Sequence, residues 1–426
     1  MGCAYTEFCV EGLTLEAPTR MRFKTIRLAA VLLFSVLGLP AGAASQEIPN
    51  EEELHTQLAT AQKLLGQTAD RGAVLFFIAA TNALLKQPHQ AIASLKDCVA
   101  LKEGFDPVGE PAFTGLRDSK DFQTLTEEVH RDFPAISTAQ LAFVSTEKDV
   151  IPEGLAYDAT QDLFYMGSLH LKKIVSISRL GEFTDFVPAD RYKLLPVLGI
   201  RVDSSDGSLW IATWIDNGKT ELLHFDKKGA LLGRFSLPED GRKHGLNDLV
   251  VTPNGDVLLT DTADNKVYRF AAKTQTFHEI KLARELLQPN GIALTFDSRA
   301  VYIADQLGVL WLDLQSGQSA EVNPGPHSTL AGADGLYWHS GKLIAVQNGI
   351  GSPRIAIFQL SLDGLQVTKT TVVENRSKFT VLPTTGALDG DDFYFIVNSQ
   401  IDNLNGDRVL DNTKLQPVRI AKLHIP

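Results

Sequence analysis

Five polar residues, widely spaced along the chain, open short apolar segments in the same phase: Glu153 in PEGLAYD, Asn247 in LNDLVVTP, Asn290 in PNGIALTF, Asp334 in ADGLYWHS and Thr385 in TTGALDG. The intervals between them are 94, 43, 44 and 51 residues, and Leu198 in VLGIRVDS, 45 residues after Glu153, divides the first interval. Brought to one place, a Glu, an Asp and two Asn form a donor set of oxygen alone, which suits a hard cation. Two carboxylates leave a bound divalent ion close to neutral, with open positions for water or substrate. Ca²⁺ is the expected ion and Mg²⁺ or Mn²⁺ the next, while the lack of His and Cys in the set disfavours Zn²⁺. Asn-Gly and Asp-Gly are also common turn dipeptides, but independent turns have no reason to share one position of a repeat.

The elements that must bring these residues together follow from the same spacing. A period in the forties with alternation after each start is the pattern of a β-propeller whose repeat is one four-stranded blade. Six starts predict six blades, so the expected fold class is mainly β, a six-bladed β-propeller over residues 151–426. The third repeat, NDLVVTPNGDVLLTDTADNKVYRFAAKTQTFHEI, reads as four strands joined by Asn/Asp/Gly turns. Second strands follow in the other repeats as LFYMGS, LWIATW and VYIADQ. The first strand of each blade lines the central channel, so residues in equivalent phase converge on one axis. The sixth repeat passes through a polar loop, Gln400 to Thr413, to a last strand in PVRIAKLHIP that is expected to close the ring.

With 44% apolar and 21% charged residues the chain can bury a large core, and its net charge of −11 argues against nucleic acid as a partner. Residues 1–44 read as a signal-peptide region, with a basic start at Met21-Arg22-Phe23-Lys24, an apolar run from Leu28 to Leu39 and a small-residue Ala41-Gly42-Ala43 site. Met21 is an alternative start. The expected location is periplasmic or secreted, with no membrane span after the leader is removed. Cleavage leaves Cys98 alone, so neither an intrachain disulfide nor a Cys-rich metal site is expected. Residues 51–133 carry apolar positions at helical spacing, broken at Gln87-Pro88. They look like the end of a tetratricopeptide array. Too few repeats are present for an extended groove, so a cap on the propeller is expected ahead of a surface for a protein partner. Pro134 to Val150 connects the two parts and is expected to supply an outer strand.

EGLAYD, LNDLVVTPNGDVLLTD, PNGIALTFDSRAVYIAD and ADGLYWHSGKLIAV resemble the blades of the senescence-marker-protein/gluconolactonase group, and more distantly those of paraoxonases and strictosidine-synthase-like proteins. The resemblance runs from Ile151 to about the C-terminus. It implies that Glu153, Asn290 and Asp334 bind a divalent metal, commonly calcium, that Asn247 lies at the metal or the substrate, and that the reaction is hydrolysis of a lactone or related ester. Two departures limit it. Paraoxonases have a histidine where this chain has Leu198, and sugar lactonases often have a polyol-gripping arginine where it has Gly245.

The expected mechanism is a cation polarising the lactone carbonyl, with Asp334, or Glu153 in second place, as general base. A carboxylate fully coordinated by a cation is a weaker base. His244 is weighed both as a substrate contact and as a surface-loop residue; Trp214 and Phe296 are expected to pack within blades. The alternative from another class is a non-catalytic interaction platform whose cation is structural.

Overall fold

The structure is a computed structural model that describes residues 50–426 except 216, 217 and 407. The leader expected over residues 1–44 lies outside the described residues. Four helices come first, α1 (Glu51–Leu64), α2 (Arg71–Leu84), α3 (Pro88–Ala100) and α4 (Lys120–Asp132). Asn50 and Glu53 form a capping box at α1, and Glu51, Glu52 and Glu53 complement the positive end of its dipole. Pro88, unable to continue α2, opens α3. In α4, capped by Ser119, the buried residues Phe122, Leu125 and Val129 recur at helical spacing. Their faces meet around Phe76, Phe105 and Phe113. That core also contains Ala331 and Ile350 from the propeller, so the helices share their main core with the wheel.

Six antiparallel sheets follow as a six-bladed propeller. The inner strands are Pro152–Asp158, Val197–Val202, Leu246–Val251, Ile292–Leu294, Ala333–His339 and Gly386–Asp389, in blades 1 to 6. Blades 1 to 5 continue outwards in sequence order. Blade 6 instead takes Asp392–Ile396, then the C-terminal strand Arg419–His424, and finally Gln140–Val144 from ahead of blade 1. Ile136–Ser137 adds a fifth strand to blade 5. Between these two short strands, the Glu374 carboxylate accepts the Thr138 and Ala139 amides at 2.8 and 2.9 Å, which fixes the step from blade 5 to blade 6. Neighbouring blades bury apolar faces against each other. At the closing seam Leu155, Phe164 and Met166 meet Tyr394, Ile396 and Ile420, each fully buried Leu or Phe contributing about 1.5–3 kcal/mol.

The dipeptides Glu-Gly, Asn-Gly and Asp-Gly are not turns. Each lies in or at the start of an inner strand, where the glycine admits the next blade: a Cβ on Gly154 would sit 2.0 Å from the Leu198 carbonyl oxygen, and one on Gly291 2.6 Å from that of Asp334. The pairing register also slips beside the in-phase residue, between Pro152 and Leu155, Val197 and Ile200, Leu246 and Leu249, and Ala333 and Gly335. Bulges of this kind re-aim side chains next to functional sites.

Candidate functional site

The bulges turn Glu153, Asn247 and Asp334 into the channel, and Asn290 reaches it from just ahead of the regular strand Ile292–Leu294; the four are 1, 1, 0 and 7% exposed. Their amide and hydroxyl neighbours determine which atoms are left over. Asn247 donates its Nδ2 to Thr262 Oγ1 at 3.0 Å, and that hydroxyl donates in turn to the Pro289 carbonyl at 2.6 Å. Asn348, at the end of the second strand of blade 5, donates its Nδ2 to Asp334 Oδ2 at 2.6 Å and to the Pro383 carbonyl at 2.9 Å. With the amide nitrogens engaged, the oxygens are left unpaired. Glu153 Oε1 and Oε2, Asn247 Oδ1, Asn290 Oδ1, Asp334 Oδ1 and Asn348 Oδ1 are all buried without a hydrogen-bond partner. A buried unsatisfied acceptor costs about 1–3 kcal/mol and a charged one more, so six at one place constitute a site that calls for a ligand. The donors are hard oxygens with two carboxylates, and they fit a divalent cation of the Ca²⁺ type.

The electrostatics agree with that fit. Burial, then the charges of Asp334 and Asp248, push the Glu153 carboxyl well above its usual range, with Arg201 opposing. Burial likewise lifts Asp334 to about 8 against the hydrogen bonds from Asn348 and Asn290. Three carboxylates thus face one arginine. Asp248 is committed: its Oδ2 accepts Arg201 Nη2 at 2.8 Å and its Oδ1 the Leu249 amide at 2.8 Å. Arg201 and Tyr337 lie three residues further along their inner strands than Leu198 and Asp334, about 10 Å at the strand rise, and line a separate cavity of about 210 Å³ at that end of the channel.

The walls differ around the ring. On the side of blades 1, 2 and 6, Ile151, Leu169, Leu198, Trp214, Ile401 and Leu404 form a buried apolar roof. Ile151, a buried β-branched residue, has φ +42°, a strained conformation two residues ahead of Glu153. Thr384 and Thr385 both donate hydroxyls to the Glu153 carbonyl oxygen, which makes Thr385 a wall residue bracing the closing seam. On the opposite side a cleft lined by Thr262, Gln288, Asn290, Gln306 and Gly332 reaches the cage. Where sugar lactonases are expected to carry arginine, a Cβ on Gly245 would lie 2.5 Å from the Trp214 ring, so the indole occupies that space.

Two expectations need correction. His244 is neither a surface residue nor free for a substrate: it is buried, with Nδ1 2.6 Å from Asp261 and Nε2 3.2 Å from Asp240. It braces the segment leading into Asn247. His244, Asp261 and Asp264 are spaced closely enough for a metal, but the Gly245 and Asp264 amides occupy Asp261, and Arg242 and Tyr268 occupy Asp264. Phe296 does not pack in its blade. It is 97% exposed because it falls in the turn just past the strand Ile292–Leu294. Trp214, in contrast, is buried among apolar neighbours.

Sequence reasoning missed Asn348, Asp248 and Arg201. Asp248 carried a signal: it stands where the inner strands of blades 1, 2, 4, 5 and 6 have glycine. Asn348 carried none, because it lies just past the second strand of blade 5, outside the in-phase positions, and its role depends on the hydrogen bond to Asp334.

No protein-family model matches the chain, and no curated protein does. Among solved structures, the major allergen Mala s 1 of Malassezia sympodialis is similar at TM-score 0.51 and 12% identity, over 66% of this chain and 95% of that one. The gluconolactonase XC5397 of Xanthomonas campestris aligns at TM-score 0.46 and 14% identity over 68% and 91% of the two chains. A catalytically inactive virginiamycin B lyase from Staphylococcus aureus with quinupristin aligns at 0.47 and 19% over 68% and 99%. At such identities likeness bears on fold alone, and the fold of this chain is a six-bladed β-propeller whose blade 6 is closed by a strand from ahead of blade 1.

Proposed function

We propose that this protein is a divalent-cation-dependent hydrolase acting on a lactone or related ester in the propeller channel. The observation that carries the reading is the set of six buried, unpartnered oxygens on Glu153, Asn247, Asn290, Asp334 and Asn348. The resemblance of its blades to the gluconolactonase group supplies the reaction class. A bound cation would supply Lewis acidity towards the substrate carbonyl and the developing oxyanion. Asp334 Oδ1 takes a proton from the attacking water as the water oxygen bonds to the carbonyl carbon. Collapse of the tetrahedral intermediate breaks the ester C–O bond, and the departing alkoxide recovers that proton. Asn348 holds Asp334 through Oδ2, which keeps Oδ1 turned towards the channel. Glu153, with both oxygens free, is the second candidate for the base.

The apolar roof over one side of the cage favours a second reading, a platform whose cation is structural. One experiment separates the two: metal analysis of the purified protein, joined to a panel of lactones and aryl esters assayed with and without chelator. Chelator-sensitive turnover supports the hydrolase. Loss of thermal stability on chelation, with no turnover of any panel member, supports the platform and refutes the hydrolase.

A further inference from the structure

The helical segment grips the two propeller loops that carry Asp334 and Asn348. Asp70, at the N-cap position of α2, is 2% exposed, and its Oδ2 accepts Thr329 Oγ1 at 2.7 Å and the Leu330 and Ala331 amides at 2.8 and 3.2 Å. That loop leads directly into Ala333 and Asp334. Gln347, fully buried beside Asn348, donates its Nε2 to the Thr329 and Ala331 carbonyls at 3.0 and 2.8 Å and so ties the second loop to the first. Its Oε1 accepts Arg354 Nε at 2.8 Å, and Arg354 Nη1 reaches back to the Glu103 carbonyl of the helical segment at 3.2 Å. The backbones interlock as well. The Asp106 amide donates to the Ile350 carbonyl at 2.9 Å, and Gly109 lies so close that a Cβ there would be 1.7 Å from the Gly351 carbonyl oxygen.

We propose that the helical segment is part of the cation site, with Asp70 acting as a positioning residue that sets Asp334 and Asn348 through the loop at 329–332 and Gln347. The proposal rests on the cage binding a divalent cation. A plain cap would contribute stability alone, whereas this arrangement couples the segment to two of the five cage residues. Groups that orient a ligand from behind typically change metal affinity 10- to 100-fold when removed.

Calcium affinity of the full chain, measured by calorimetry at neutral pH, tests it, with cation-free melting temperature as the parallel readout. Asp70→Ala is expected to weaken binding by roughly 10- to 100-fold, while Asp70→Asn, which keeps one acceptor oxygen, stays close to wild type. The control is Arg376→Ala. Arg376 Nη2 ties the same segment to the outer side of blade 5, donating to the His130 and Phe133 carbonyls at 3.2 and 2.7 Å, and touches neither cage loop. It should lower the melting temperature and leave calcium affinity unchanged. If Asp70→Ala folds poorly, Gln347→Met makes the same test from within the propeller and is expected to weaken binding by a similar factor. Unchanged affinity in Asp70→Ala or Gln347→Met, or an equal loss in Arg376→Ala, overturns the positioning role. A wild-type protein that gives no calcium heat overturns the cation reading, and the positioning role with it.

Discussion

Replacing Asp334 by asparagine is expected to have two effects of opposite sign. Asp334 is fully buried, and its carboxyl is already pushed up to about 8 by that burial. With its carboxyl held that far above the ordinary range, cation-free Asp334 is largely protonated at neutral pH, and folding must take up that proton at a cost. An amide needs no such proton, so the cation-free variant should melt at or above the wild-type temperature. The new amide can keep its oxygen on Asn348 Nδ2, but then its NH₂ occupies the Oδ1 position and faces the cage. Two unit charges 4 Å apart are worth about 4 kcal/mol at an effective dielectric of 20, so losing one carboxylate next to a divalent ion should cost at least about a thousandfold in affinity. At a calcium concentration 1,000 times the wild-type Kd, binding stabilises the wild type by about 4.1 kcal/mol. Unfolding roughly 370 residues at about 2.1 cal/mol/K each gives about 0.8 kcal/mol/K, so the wild-type midpoint should rise by about 5 °C. The same calcium concentration should move Asp334→Asn by about 0.5 °C. Differential scanning fluorimetry with and without calcium reads both effects. A variant that melts lower than wild type in chelator and still shows the full calcium shift would refute the charge argument; full turnover with retained metal would remove Asp334 as the base.

Asn348→Ala leaves Asp334 Oδ2 without its donor and should weaken calcium binding roughly 10- to 100-fold, measured by the same calorimetry; an unchanged Kd would exclude Asn348 from the site. Gly245→Ala places a Cβ 2.5 Å from the Trp214 ring and should cost about 1–3 kcal/mol by overpacking. Trp214→Ala in the same chain should recover part of that loss, and additive urea-denaturation energies would contradict the contact. Glu103 provides the pH test: burial, then the charge of Asp70, raises its carboxyl to about 8, with Arg354 and Arg71 opposing. Asp70 itself is raised to about 6 by burial. Between the ordinary 4.5 and about 8 the folded state binds more protons than the unfolded state at Glu103, so stability falls as pH rises through that window. Glu103→Gln should make the melting-temperature profile less steep throughout that window, with the remaining slope coming from Asp70 below about 6 and from Asp334 up to about 8; a parallel profile would count against the shift.

The ring was readable because one chemical demand recurs in every blade. Each inner strand turns one residue to the axis, and in five of the six blades a glycine after it lets the neighbour approach, which writes Glu153-Gly154, Leu198-Gly199, Asn290-Gly291, Asp334-Gly335 and Thr385-Gly386 at intervals of 45, 92, 44 and 51 residues, the 92 spanning blade 3 with its Asn247-Asp248. The closing strand near the C-terminus and the outer strand from Pro134 to Val150 were both expected, but the blade they join was not readable, because the segment from Ser399 to Val418 separates the second and third strands of blade 6 and destroys the period. His244 was misread because Arg242 and Lys243 suggested a surface loop, whereas Asp240, Asp261 and Asp264 supply enough carboxylate to bury an imidazole beside an arginine. Asn348 and Asp70 were invisible for a common reason: each acts through a hydrogen bond to a residue distant in sequence or held in another element, and no periodicity encodes such a bond.

The strand that seals the wheel also dictates when it can be finished. Leu141 pairs with Ala421, so the outermost strand of blade 6 leaves the ribosome 280 residues before its partner. At about 5–20 residues per second that wait is roughly 15–55 s, during which five blades can form but the circle cannot. Until then Gln140–Val144 is an unpaired edge beside an incomplete barrel, open to pairing with a second chain. Closure therefore belongs to the finished polypeptide, and the cage oxygens contributed by blades 1 and 5 come to rest on either side of blade 6 only when the two ends of the propeller have met.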